Sequence, residues 1–82
     1  MVERVKHMEA CMDAVQAALR KGELHTVRRQ IETLRKYMES GQWLADYEAD
    51  ERGEFPAGMK RGVLSQDGLY DLLAETEKRR GG

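Results

Sequence analysis

Two groupings in this chain have the residue types and spacing that chemistry requires. Asp46, Glu48, Asp50, Glu51 and Glu54 crowd five carboxylates into one short stretch, and His7 stands four residues before the only cysteine, Cys11. Hard divalent cations take several carboxylate oxygens on a flexible loop, which makes the acidic run a candidate cation-binding loop. It lacks EF-hand spacing, however, and on a helical turn its acids point in different directions. Charge runs ordinarily form solvated faces, and Asp46, Glu48, Asp50 and Glu51 read better as a docking surface for a basic partner. His7 and Cys11 share a helix face and supply half of a zinc site at most. Zinc needs three or four ligands, and the other histidine, His25, falls at the far end of a hairpin with no second cysteine beside it. The sequence therefore predicts no metal and no cofactor.

No nucleophile is set up for catalysis. Cys11 lies beside an apolar stripe, where a free cysteine behaves as a small hydrophobe. Ser40 and Ser65 sit at expected helix starts, and capping accounts for their hydroxyls. Gly53, Gly58 and Gly62 are too dispersed for a phosphate-cradling loop and lack its lysine. The expectation is that the chain is not an enzyme.

Arg28, Arg29, Arg35 and Lys36 form two adjacent basic rows at heptad spacing and give an alternative, nucleic-acid-binding face. Charge weighs against it. Residues 1–40 carry eight Lys/Arg against six Asp/Glu, residues 41–58 one against five, and residues 59–82 five against four. Glu32 and Glu39 share the Arg28/Arg35 side, and phosphate contacts dominate nucleic-acid affinity. Nucleic acid is a partner the sequence does not favour.

The elements that must position these groups are helices. Val5, Met8, Met12, Val15 and Leu19 recur at spacings of three and four and predict a helix over 2–20. Leu24, Val27, Ile31, Leu34 and Met38 predict another over 24–39. Both stripes suit a bundle or a short coiled coil. They are rotated by roughly 110° from each other at about 100° per residue, and Gly22 stands at the break. A helical hairpin follows, with one long kinked N-terminal helix as its rival. Ser40-Gly41 opens a connection over 40–64 with a short helical turn near 42–50. Trp43, Tyr47, Phe55 and Pro56 are its expected structural anchors, with Trp43, Tyr47 and Phe55 largely buried. Ser65 is an N-cap candidate for a last helix over 66–79, packed through Leu69, Leu72, Leu73 and Thr76 and ending in Lys78, Arg79 and Arg80. Nothing alternates like a strand. The fold class is all-α, in a single small domain over 1–82.

The blocks Trp43-x-x-Asp46-Tyr47-Glu48-x-Asp50-Glu51 and Lys60-Arg61-Gly62-Val63-Leu64-Ser65-x-Asp67-Gly68-x-Tyr70-Asp71-Leu72-Leu73 resemble the bacterial family known as domain of unknown function 4298. The resemblance covers about Leu34 to Leu73. It implies a bacterial or phage-borne helical protein and brings no catalytic residues with it.

A chain of 82 residues builds a thin core, leaving roughly 35–40% of its surface exposed when folded. Its lone cysteine excludes an internal disulfide and suits a reducing cytoplasm. No signal peptide is seen, because Glu3, Arg4, Lys6 and Glu9 break the N-terminus, and no apolar run is long enough for a membrane. The expected partners are a second copy in a dimer, an unknown protein, or both, and no membrane. The expected function is a cytoplasmic, non-catalytic interaction or self-association module.

Overall fold

The computed structural model describes the backbone of residues 2–65 and 67–81 and the side chains of 2–65 and 67–79. Among them are four α-helices: α1 (Val2–Lys21), α2 (Arg28–Glu39), α3 (Gln42–Glu51) and α4 (Gly68–Gly81). There are no strands among the described residues, and the fold is all-α. Gln66, the first residue of the expected last helix, lies outside the described residues, as do the Arg80 side chain and Gly82.

Glycine punctuates the two turns that shape the chain. At Gly22, φ is +71°. Its N–H donates to the Leu19 carbonyl at 3.2 Å while the Glu23 N–H donates to the Ala18 carbonyl at 2.9 Å, the paired bonds of a Schellman end. A short 3-10 turn, Leu24–Val27, then leads into α2, which packs back on α1. Residues 24–27 are thus 3-10 where an α-helix was expected, and residues 2–39 form two helices in contact. Gly53 closes α3 in the same way, with its own N–H bonded to the Asp50 carbonyl and the Glu54 N–H to that of Ala49, each at 3.0 Å.

The core runs along the helix interfaces. Val5, Val15, Leu34, Val63, Leu64 and Leu69 are almost entirely enclosed. Val63 and Leu64 come from a second 3-10 turn, Gly62–Leu64, which touches α1, α3 and α4. Glu9 of α1 fixes that turn: its carboxylate, buried, accepts the Val63 N–H at 2.7 Å. Ser65 follows, and its hydroxyl accepts the Gly68 N–H at 3.1 Å at the entry to α4. The molecule measures 39 × 22 × 18 Å. Its short axis is less than two helix diameters of about 10–12 Å, so its hollows are surface grooves.

Candidate interaction site

The expected acidic surface begins with a correction. Asp46 is 1% exposed and belongs to the interior. It accepts Arg4 Nε at 2.9 Å on one oxygen and Arg4 Nη2 at 2.6 Å on the other, and the Tyr37 hydroxyl donates to it at 2.7 Å. These bonds tie α1, α2 and α3 together. Burial by itself would raise the Asp46 pKa, but the hydrogen bonds from Arg4 and Tyr37 outweigh it and hold the carboxyl below its ordinary value. Burial, and then donation to Asp46, push the Tyr37 phenol well above its ordinary range. A charge inside so small a core is tolerated because each of its oxygens is bonded.

The other acids do not converge on a cation. Asp50 pairs with Arg61 at 3.1 Å and Glu54 with Arg52 at 2.5 Å, while Glu48 and Glu51 are exposed on the outer side of α3. Lys60 pairs across the molecule with Asp13 at 2.8 Å. Among the described residues, no three His, Cys, Asp or Glu side chains are grouped to hold a metal. His7 approaches Cys11 at 3.9 Å. His25 lies beyond the other end of α1, about 20 Å away by helical rise. Burial raises the Cys11 thiol pKa.

The aromatic anchors divide. Phe55 is buried as expected, and Pro56 is exposed. Trp43 and Tyr47 are half-buried and stack with ring centres 5.2 Å apart, and Trp43 Nε1 donates to the Val63 carbonyl at 2.9 Å. The reason is the roll of α3. Asp46 and Ala49 form its inner face, which turns the apolar side outward.

That outward side is the most distinctive surface of the molecule. Leu44 is 53% exposed and Tyr70, from α4, 64% exposed; among the described residues they are the exposed large hydrophobic side chains. Met38, Trp43, Leu44, Tyr47 and Tyr70 line a groove of about 450 Å³, with Asp67 at its edge. A hollow of about 320 Å³ continues it over Leu73 and Ala74, sharing Met38 and Tyr70 and bordered by Arg35, Glu39 and Glu77. Sequence patterning missed this groove because Leu44 and Tyr70 sit off the core stripes and become neighbours only through the packing of α3 and α4.

The basic rows also separate. Arg28 and Arg29 are exposed and border, with His25, a shallow hollow of about 630 Å³. Lys36 is exposed, but Arg35 is half-buried and bonded to Glu32 at 3.2 Å and Glu77 at 3.1 Å. The four cations therefore do not form one free stripe. Among the described residues, no helix is long and apolar enough to cross a membrane.

The family model described as Domain of unknown function (DUF4298) matches residues 1–79. The chain belongs to this family. The match extends well beyond the Leu34–Leu73 block and takes in α1, so Arg4, Glu9 and Asp46 all fall within the matched residues. No curated protein and no solved structure matches the chain.

Proposed function

We propose that this member of the family is a non-catalytic protein-interaction module of the cytoplasm that docks through the groove between α3 and α4. The observation that carries the reading is the juxtaposition of exposed Leu44 and Tyr70 with the half-open Trp43–Tyr47 stack. Large apolar side chains grouped on the surface of a small soluble fold mark binding sites, and Trp and Tyr supply much of the energy of interfaces. Glu48 and Glu51 remain from the acidic surface expected from the sequence; Asp46 leaves it for the core, and Asp50 is shared with Arg61. Non-catalysis is supported by the commitments of the reactive groups. Cys11 is buried, Asp46 is bound by Arg4 and Tyr37, and Glu9 is bound by Val63.

The test is affinity capture of the tagged chain, nuclease-treated, beside a Leu44→Ser/Tyr70→Ser variant and an Arg28→Ser/Arg29→Ser variant. A protein retained by wild type and the arginine variant but lost by the groove variant supports docking through this face. Capture indifferent to the groove variant overturns it. The nucleic-acid reading rests on exposed Arg28 and Arg29. Nuclease-sensitive capture that the arginine variant loses would put that reading first.

A further inference from the structure

We infer that the α3–α4 groove takes a basic amphipathic helix from a partner protein. The inference rests on the docking reading above and names the class of partner. Its floor is an elongated apolar track, because its two hollows meet at Met38 and Tyr70 and run from Leu44 to Leu73. A track of this form accepts apolar anchors spaced i, i+3/i+4 and i+7 along one face of a helix. The described residues include no sheet edge that could pair with an extended peptide, and a helix, which satisfies its own backbone hydrogen bonds, asks none of the groove.

The rim sets the sign of the partner's polar face. Asp67, Glu39 and Glu77 border the track. Glu48 and Glu51 stand exposed one and two turns beyond Leu44 on α3. Among the described residues, Arg35 is the one cation that lines the track, and it pairs with Glu77 as well as Glu32, which leaves Asp67 and Glu39 as the lining acids without an ion-pair partner there. An acidic rim around an apolar floor complements lysine and arginine flanking leucine-like anchors. The same rim repels the phosphates of nucleic acid and of anionic lipid.

Trp43 is the only tryptophan, which makes its fluorescence a direct report on the groove. The full chain would be titrated with a Leu/Lys amphipathic helical peptide of about five turns and with its Leu/Glu counterpart. The expected result is saturable change of Trp43 emission with the Lys peptide and about tenfold or greater weakening with the Glu peptide. Leu44→Ser and Tyr70→Ser should each weaken the Lys peptide about tenfold with melting temperature unchanged, since both side chains are already largely exposed. Glu39→Lys/Glu48→Lys should reverse the preference between the two peptides. Equal binding of both peptides, still lost on Leu44→Ser or Tyr70→Ser, overturns the basic partner and leaves the docking face standing. Binding indifferent to Leu44→Ser and Tyr70→Ser overturns both. Concentration-dependent self-association that alters Trp43 emission and is abolished by Tyr70→Ser puts a second copy in the groove and overturns the inference.

Discussion

Replacing Asp46 by alanine removes the acceptor on which Arg4 and Tyr37 converge. Hydrogen bonds to a charged group contribute roughly 1.5–3 kcal/mol each, net of water. The Arg4 side chain is 34% exposed and regains water when its partner is lost, so its share is discounted toward the value of a surface pair, under about 1 kcal/mol. The Tyr37 hydroxyl is buried and keeps the penalty of an unsatisfied group, about 1–3 kcal/mol. With the cavity left by the side chain, the total is about 3–4 kcal/mol. A domain of this size has about 4–12 kcal/mol in all, and the midpoint should fall by about 15–25 °C. Thermal unfolding followed by far-ultraviolet circular dichroism at neutral pH measures it. Tyr37→Phe should cost about 1–2 kcal/mol in wild type but recover about 1–3 kcal/mol beside Asp46→Ala, because there it removes the hydroxyl left without its acceptor. The folded Asp46 pKa lies below its ordinary 3.8. Its stabilisation is therefore present above that pH and is lost as acid titrates it through the lower folded value. Asp46→Ala should lack this acid-side loss. A melting point within about 2 °C of wild type, or an unchanged acid limb, would refute the assignment of Asp46 as an internal tie.

Three further outcomes follow from the packing. Phe55→Ala should cost about 3–4 kcal/mol as a buried aromatic, while Trp43→Phe, which loses chiefly the bond to the Val63 carbonyl, should cost about 1 kcal/mol; denaturant unfolding of both variants checks the order. Glu9→Ala should cost about 1–3 kcal/mol by leaving the Val63 amide without its acceptor, and accelerated hydrogen exchange at that amide would localise the loss. Cys11 should react with a thiol reagent far more slowly in the native chain than in urea, because burial both covers the sulfur and raises its pKa; equal rates would contradict its place in the core.

Periodicity made the helices legible, and glycine made their ends legible. Val5, Met12, Val15, Ile31, Leu34, Leu69 and Leu72 recur at helical spacing and are buried, while Met8, Leu19 and Met38 occupy the flanks of the same stripes. What escaped was set by distant polar partners. Arg4 and Asp46 are 42 residues apart, Lys60 and Asp13 47, and Glu9 and Val63 54. No local pattern marks a carboxylate as internal when its donors arrive from elsewhere in the chain. The roll of α3 escaped for the same reason. Hydrophobicity alone would place Leu44 inside and Asp46 outside, and the converging Arg4 and Tyr37 reverse that order. The groove is a consequence, since it consists of what α3 turns away from the core together with Tyr70 of α4.

This coupling separates two roles that the Asp46 cluster can have. Well-packed apolar residues of similar volume often match or exceed a buried ion pair in stability, because they avoid desolvating charge. Apolar packing would therefore serve folding at least as well as the cluster does. If its role is to fix the roll of α3, then Arg4→Met/Tyr37→Phe/Asp46→Leu should leave stability unchanged or raise it by about 1–4 kcal/mol. The same variant should weaken the Lys peptide, because nothing then holds Leu44 outward against the pull of the core. Unfolding and Trp43 titration on one preparation read both quantities. A variant that is as stable as wild type and binds as tightly would show that apolar packing sets the roll unaided. A variant that is stable but no longer binds ties the buried carboxylate to the shape of the groove, which none of the three substituted side chains lines.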